Sequence, residues 1–122
     1  MNPNDAIFYY GRGSAYENEC DFAQAISNYT KAIGINPDYA EAYNNRGVNY
    51  SYQDNLSQAI TDFNKALEIN PNYVDAYVNR GNAYDDLGVS TQAISDLNRA
   101  IGIDHKCARA YFSRACTHYK NR

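Results

Sequence analysis

The sequence repeats itself with a period of 34 residues, and this period limits the folds that the chain can adopt. The segment 40–73 resembles the segments 6–39 and 74–107, and a fourth copy starts at residue 108. One arginine recurs in every copy and marks the register: Arg12, Arg46, Arg80 and Arg114. A fixed period of this size predicts a solenoid, because each unit buries its apolar face only by stacking on its neighbours.

The recurring positions in each unit predict a pair of helices. Residues three and four apart lie on one face of a helix, and the recurring residues have that spacing. In the first unit they are Tyr9, Gly13 and Tyr16 on one helix, and Ala25, Tyr29 and Ala32 on the next. Bulky side chains alternate with Gly or Ala, so the two helices can interlock closely. Pro37 and Pro71 close the first two units.

This order of residues resembles the tetratricopeptide repeat over nearly the whole chain. The resemblance implies an all-α fold, a right-handed superhelical solenoid of antiparallel helix pairs with seven helices. It implies a single domain over residues 1–122, with repeats at 6–39, 40–73 and 74–107 and a capping helix at 108–122. The pentatricopeptide repeat has a similar sequence pattern, but its period is one residue longer. The recurring prolines, Pro37 and Pro71, also fit that family less well.

Short polar residues predict where the helices begin, because their side chains can cap free backbone N–H groups. The expected caps are Asp5, Asp21, Asp38, Asn55, Asn72 and Ser90. The helices should end near residues 18, 35, 52, 69, 87, 103 and 120.

The last helix departs from the repeat pattern. The glycine and tyrosine columns become Ala115 and His118, and His105 replaces the closing proline of the third repeat. Since Arg114 and Thr117 share the same face, we expect a polar capping helix, which solenoids need at their ends. The chain should therefore end near a true domain boundary.

The arginine column predicts an ion pair within each of two repeats. Sixteen residues after Arg46 and Arg80 come Asp62 and Asp96, and both positions border the contact between paired helices. In the first repeat, Arg12 and Asn28 should form a neutral hydrogen bond instead. The alternative is that the arginines lay their stems on tyrosine rings and keep their charged groups in water.

Composition excludes several partners. The formal net charge of −3 disfavours nucleic acid or an anionic membrane surface. No apolar run approaches the ~20 residues that span a bilayer, and no signal-peptide pattern is present, so we expect a cytoplasmic protein. Cys20, Cys107 and Cys116 lack metal-type spacing, so reduced thiols without an intramolecular disulfide are expected.

The sequence contains no catalytic signature, and we expect neither an enzyme nor a bound cofactor or metal. His105 and His118 are the only histidines. Cys116 and His118 are two residues apart, so on a helix they point in different directions. The adjacent Asp85 and Asp86 fit a solvated acidic face better than a metal site, because no ligands converge on them from a loop.

The first helix of each unit should line a concave groove. Thirteen groove residues are the predicted peptide-binding site: Tyr10, Asn44, Asn45, Val48, Tyr52, Asp75, Val78, Asn79, Asn82, Asp85, Asp86, Phe112 and Tyr119. Five acidic residues outnumber two basic ones in the groove as a whole: Glu17, Glu41, Asp75, Asp85 and Asp86 against Arg109 and Lys120.

Two binding modes of the family can be compared with this groove. Some members grip acidic chaperone tails with a lysine and asparagine set, the carboxylate clamp. Here Tyr10 and Asn44 stand where lysine would be expected and Asp75 has the wrong sign, so that function is rejected. Other members hold an extended peptide with a ladder of asparagines, which Asn45 and Asn79 resemble. Ordinary solvated helix residues are the alternative for these two.

The resulting hypothesis is a scaffold or adaptor that binds an extended peptide, with basic residues beside apolar ones. The alternative is a structural protein that self-associates as a weak homo-oligomer through the apolar N-terminal edge formed by Ile7, Phe8 and Tyr10.

Overall fold

In a computed structural model that describes the backbone of residues 3–120 and the side chains of residues 5–120, that part of the chain forms seven helices. They are α1 Pro3–Asn18, α2 Phe22–Ile35, α3 Ala40–Tyr52, α4 Leu56–Ile69, α5 Val74–Asp86, α6 Ser90–Ile103 and α7 Ala108–Lys120. The predicted all-α solenoid of helix pairs is confirmed. The ends of the predicted domain, 1–2 and 121–122, lie outside the described residues.

Each helix pair is held together by a glycine that faces a bulky side chain. Gly47 of α3 is buried, and a Cβ atom at that position would lie 2.6 Å from Phe63 Cε1 of α4. The same relationship recurs between Gly13 and Tyr29 and between Gly81 and Leu97. The predicted close packing at the glycine column is confirmed, because any side chain there would occupy the space of the facing residue.

Consecutive repeats stack by burying small residues of one against the next. Ala66 and Leu67 of α4 cluster with Ala76 of α5. Leu97 of α6 clusters in the same way with Ala110 of α7. The second helix of each repeat therefore contacts both its own partner and the first helix of the following repeat.

The arginine column joins three helices. Arg46 donates from Nε and Nη2 to the two carboxylate oxygens of Asp62, both at 2.8 Å, and from Nη1 to Thr30 Oγ1 of the preceding repeat. The guanidinium also lies over the Tyr43 ring, with 5.5 Å from Cζ to the ring centroid. The predicted ion pair is confirmed, and the proposed stacking on tyrosine occurs together with it.

The third repeat copies this arrangement. Arg80 donates to both Asp96 oxygens at 2.8 and 2.6 Å, and its Nη1 reaches Asn64 Oδ1 of the preceding repeat at 2.9 Å. The second predicted ion pair is thus confirmed as well. Each arginine pairs within its own repeat and also ties that repeat to the one before.

The predicted hydrogen bond between Arg12 and Asn28 is wrong. Asn28 Nδ2 donates to the backbone oxygen of Gln24, and the buried Asn28 Oδ1 has no partner among the described residues. Arg12 lies instead over the Phe8 ring, with 5.6 Å from Cζ to the centroid. A neutral amide holds a guanidinium less strongly than a carboxylate does, so here the aromatic contact prevails.

Three of the predicted caps are displaced by one residue. Residues 39, 73 and 89 occupy the N-cap positions of α3, α5 and α6, where Asp38, Asn72 and Ser90 were expected. At the first two helices, the side-chain oxygens of Asn36 and Asn70 accept the backbone N–H of residues 38 and 72 and hold them in the turn.

The other caps differ from one another. Asp21 caps α2 as expected, because its Oδ1 accepts the backbone N–H of Gln24 at 3.2 Å. Asn55 occupies the N-cap of α4, but its amide bonds the Gln58 side chain rather than a backbone group. Asp5 lies inside the first turn of α1 and is not its cap.

The seventh helix is not the polar cap that was expected. Phe112 is 73% exposed and Tyr119 is 75% exposed. Phe112 occupies the column of Val78, which is completely buried because α7 covers it. Within the described residues no helix covers α7 in turn, so the equivalent apolar side chain is left in solvent.

Cys20, Cys107 and Cys116 are free thiols. Over the described residues, no helix combines the length and the apolar character that crossing a membrane requires.

Candidate functional site

A hollow of about 230 Å³ lies on the groove side of the first helices, between α3, α5 and α7. Its walls come mainly from predicted groove positions: Val48, Ser51, Tyr52, Asn79, Asn82, Asp86 and Arg109, with Phe63 and Ala83 behind them. The repeat geometry explains this meeting, because equivalent turns of successive first helices lie side by side in a solenoid. Five of the thirteen predicted residues are therefore brought together at one place.

A ladder of hydrogen bonds crosses the groove from α1 to α7. Asn45 Nδ2 donates to the Tyr10 hydroxyl at 2.8 Å, and Asn44 Nδ2 donates to Asn45 Oδ1 at 3.3 Å. Asn79 Nδ2 then donates to Asn44 Oδ1 at 3.0 Å, and Arg109 Nη2 donates to Asn79 Oδ1 at 3.0 Å. The asparagines are thus held in place by one another, unlike ordinary solvated helix residues.

The ladder leaves hydrogen-bonding capacity for a ligand. A side-chain amide has two N–H donors and an oxygen with two lone pairs. In Asn45 and Asn79, one donor and one acceptor site are used by the ladder. Both side chains are partly exposed. Asn45 also interacts with the Tyr29 hydroxyl, so Asn79 is the amide whose remaining sites can meet a backbone N–H or C=O.

Two of the groove acids are paired with bases from α7. Asp75 Oδ1 lies 3.4 Å from Arg109 Nη1 in an exposed pair. Asp85 Oδ2 lies 2.9 Å from Lys120 Nζ, and this hydrogen bond raises the pKa of the Lys120 ammonium. Asp86 is exposed and forms no ion pair with another described residue. It is therefore the carboxylate of the hollow that remains open to a cationic ligand.

A second polar cluster, which the sequence did not indicate, lies beneath the groove near α1. Glu17 Oε1 accepts hydrogen bonds from the Tyr29 hydroxyl at 2.9 Å and from Asn49 Nδ2 at 2.8 Å. Burial raises the pKa of Tyr29 well above its usual value. The signal that could have revealed this cluster is Asn49 itself, a polar residue in a column that holds Ala83 in the next repeat.

Two predicted site residues are buried and cannot contact a ligand directly. Val78 has no exposed surface, because it packs against Leu97 and Ala110. Asn44 is 4% exposed, because it lies between α3 and α5 and bonds Asn79 across that contact. Both predictions are wrong. Asn44 and Val78 are equivalent positions one period apart, and this position faces the next repeat and not the groove.

Three predicted residues lie at the ends of the site. Phe112 and Tyr119 are exposed but border a separate apolar hollow on α7, so the structure does not bring them to the central hollow. Tyr10 is half-buried, with its ring stacked on Tyr39 at 5.0 Å between centroids. Burial raises the pKa of Tyr10, and the hydrogen bond from Asn45 partly offsets this rise.

Comparison with known protein families gives matches along most of the chain. The family model described as tetratricopeptide repeat matches residues 6–39 and 40–73. A second model with the same description matches residues 63–101. No curated protein matches the chain.

Solved structures share the fold closely at low sequence identity. The Arabidopsis OM64 TPR domain superimposes with a TM-score of 0.95 at 25% identity, covering 98% of this chain and 99% of that one. The first TPR of Spaghetti (RPAP3), bound to the HSP90 peptide SRMEEVD, gives 0.94 at 23% identity, with 98% and 95% covered. The yeast Sti1 TPR2B domain in its complex with pHsp70 gives 0.91 at 24% identity, with 95% and 98% covered.

Proposed function

Because this chain belongs to the tetratricopeptide repeat family, we propose that it is a protein-interaction module that binds an extended peptide segment of a partner, as a scaffold or adaptor. The observation that carries this proposal is the hollow between α3, α5 and α7, where the asparagine ladder ends at Asn79 and Arg109. Asparagine side chains that are held in place on successive helices offer hydrogen-bond donors and acceptors, which suit the repeating N–H and C=O groups of a peptide backbone.

The side chains around the hollow favour a peptide with Lys or Arg beside an apolar residue. Val48 and Tyr52 form an apolar wall on α3. Asp86 lines the same hollow from α5, and Glu41 is exposed on α3. An acidic concave surface raises the local concentration of cations and speeds their association. Binding in the micromolar range is expected for so small a contact.

The same charges disfavour the kind of peptide that a structural neighbour binds. The first TPR of Spaghetti is bound to the HSP90 peptide SRMEEVD, which has more acidic residues than basic ones. In this chain Asp86 would repel such a peptide, and Arg109 is already engaged by Asp75 and Asn79. These charges therefore support a partner peptide with basic residues, in contrast to the acidic peptide SRMEEVD.

The proposal can be tested with two labelled peptides that differ only in charge. One is SRMEEVD, and the other is SRMKKVK, in which Lys replaces each of the three acidic residues. Fluorescence anisotropy should show tighter binding of the basic peptide, and high salt should reduce the difference because exposed charges are screened. Replacing Asp86 by Lys should remove the preference.

The matched control is Asp38→Lys, which makes the same charge change at an exposed turn that does not line the hollow. This control should keep the preference for the basic peptide. Equal binding of both peptides, or a preference that Asp86→Lys leaves intact, would contradict the proposed groove.

Self-association through the N-terminal edge is a second candidate. Ile7 and Phe8 are 60% and 57% exposed, which is unusual for adjacent apolar residues. Tyr10 does not belong to this edge, since it is stacked on Tyr39. Light scattering over a concentration series tests the idea: a monomer at all concentrations excludes it, and a dimer that Phe8→Ser abolishes supports it.

A further inference from the structure

One face of α7 is not covered by another helix among the described residues, although the equivalent face of each earlier first helix is covered. In the three repeats, α2, α4 and α6 cover the equivalent face of α1, α3 and α5. On α7 that face consists of Tyr111, Arg114, Ala115 and His118, the positions that follow Tyr77, Arg80, Gly81 and Tyr84 by one period. Ala115 and His118 are exposed.

Arg114 makes one of the three side-chain hydrogen bonds that Arg46 and Arg80 each make. Its Nη1 donates to Asn98 Oδ1 at 2.8 Å, as Arg80 Nη1 donates to Asn64. The remaining donors of Arg80, Nε and Nη2, bind the Asp96 carboxylate. Arg114 has no such carboxylate among the described residues, and its guanidinium lies over the Tyr111 ring at 5.2 Å. Nε and Nη2, the two donors that bind an aspartate in the second and third repeats, therefore have no carboxylate partner at Arg114 among the described residues.

We propose that this face of α7 is a docking site for an amphipathic helix of a partner protein, with an aspartate that binds the free donors of Arg114. The chain itself shows the chemistry of the occupant. In α6 an aspartate precedes a leucine, with alanines three residues before and three residues after the pair: Ala93, Asp96, Leu97 and Ala100. The alanines allow close approach, and the leucine fills the space between the helices.

The Cβ atom of Ala115 limits the size of the side chain that a partner helix can place against it. A Cβ atom at Gly47 would lie 2.6 Å from Phe63, whereas one at Gly81 would lie 3.0 Å from Leu97. Because Ala115 has a Cβ atom at the equivalent position, a helix with leucine there fits better than one with phenylalanine. The apolar hollow of about 360 Å³ beside Ala115, lined by Phe112 and Tyr119 among others, adds contact surface for the same helix.

The probe is a synthetic peptide based on α6, residues 90–103, with the changes Thr91→Lys and Ser95→Asp at two exposed positions. An amide bond between these two side chains, formed with loss of water, holds the peptide helical. Circular dichroism establishes its helicity before binding is measured by fluorescence anisotropy. Saturable binding to the whole chain is expected. Arg114→Gln should weaken it about tenfold, the loss typical of a charge-assisted pair.

The controls separate this face from other surfaces. Asp96→Asn in the peptide should weaken binding as much as Arg114→Gln, and the two changes together should cost little more than either alone. Leu97→Phe in the peptide should weaken binding to the native chain, and Ala115→Gly should restore it. Lys31→Gln removes the same charge on another helix and should have no effect.

Three results would overturn the proposal. The first is the absence of saturable binding by the helical peptide. The second is binding that neither Arg114→Gln nor Asp96→Asn weakens, which would place the peptide on another surface. The third is dimerisation of the chain that Arg114→Gln abolishes, because the occupant would then be a second copy and not a partner helix.

Discussion

Arg46 and Asp62 form a two-bond ion pair across the helix pair of the second repeat, with Nε and Nη2 each 2.8 Å from a carboxylate oxygen. The Asp62 side chain is only 5% exposed. The hydrogen bonds to Asp62 raise the pKa of Arg46, and burial only partly opposes that rise. The Arg46 guanidinium therefore stays charged well into the alkaline pH range.

Removing one partner of this ion pair should destabilise the fold. Asp62→Ala leaves the partly buried Arg46 guanidinium without its carboxylate, and a loss of about 3 kcal/mol is expected in the free energy of unfolding. Urea denaturation measures the change. The matched control is Glu68→Ala, which breaks an exposed pair with Lys65 and should cost less than about 0.5 kcal/mol. Equal losses in the two variants would mean that burial does not set the strength of the pair.

The glycine column should respond to substitution according to the space around it. Gly47→Ala places a Cβ atom 2.6 Å from Phe63, so the helices must separate, and Gly47→Leu should lose about 1–3 kcal/mol or more. Gly11 lies in α1 with no atom within 4 Å of an added Cβ. Gly11→Ala should therefore stabilise by up to about 1 kcal/mol, the difference in helix propensity. Thermal melts that show the same sign for Gly11→Ala and Gly47→Leu would contradict this packing.

The turn inside each repeat depends on one residue with a left-handed backbone. Cys20 and Asp54 have φ of 60° and 61°, and Gly88 has 81° at the equivalent position of the third repeat. Because a Cβ atom disfavours this conformation, Asp54→Gly should stabilise and Gly88→Ala should destabilise, each by about 1 kcal/mol. Chemical denaturation of the two variants should give shifts of opposite sign, and shifts of the same sign would refute the turn geometry.

The stability of the protein should fall above a pH of about 10. Burial raises the pKa of Tyr29, with a further rise from the Glu17 charge, although the Ser14 hydrogen bond opposes both. The unfolded chain ionises its tyrosines near pH 10, whereas folded Tyr29 keeps its proton. Above that pH the unfolded state binds fewer protons, so stability decreases as pH rises toward the folded-state pKa.

Tyr29→Phe isolates this contribution. The slope of the unfolding free energy against pH should become less steep, by up to about 1.4 kcal/mol per pH unit for one tyrosine. Urea midpoints measured on either side of pH 10 give the slope for both proteins. If the slope is unchanged in the variant, Tyr29 is not the residue that titrates.

The fold and its main contacts follow from the sequence because the period is regular. A helix has 3.6 residues per turn, so recurring columns identify the faces that meet. The alternation of bulky residues with Gly or Ala indicated close packing, and arginine sixteen residues before Asp62 indicated the ion pair. These relationships lie within one repeat, where the two helices and the short turn between them leave little freedom.

The candidate site could not be predicted in full from the sequence. Helical periodicity shows which residues share a face of a helix, but it does not show which neighbouring helix covers that face. Val78 and Phe112 are equivalent in sequence, yet one is completely buried and the other is 73% exposed. The difference comes from α7, which covers the first, while no described helix covers the second. The ladder through Asn44 and Asn79 likewise arises only when consecutive repeats stack and bring residues 35 positions apart into contact. Periodicity thus determined which residues are equivalent, and stacking decided which of them are exposed.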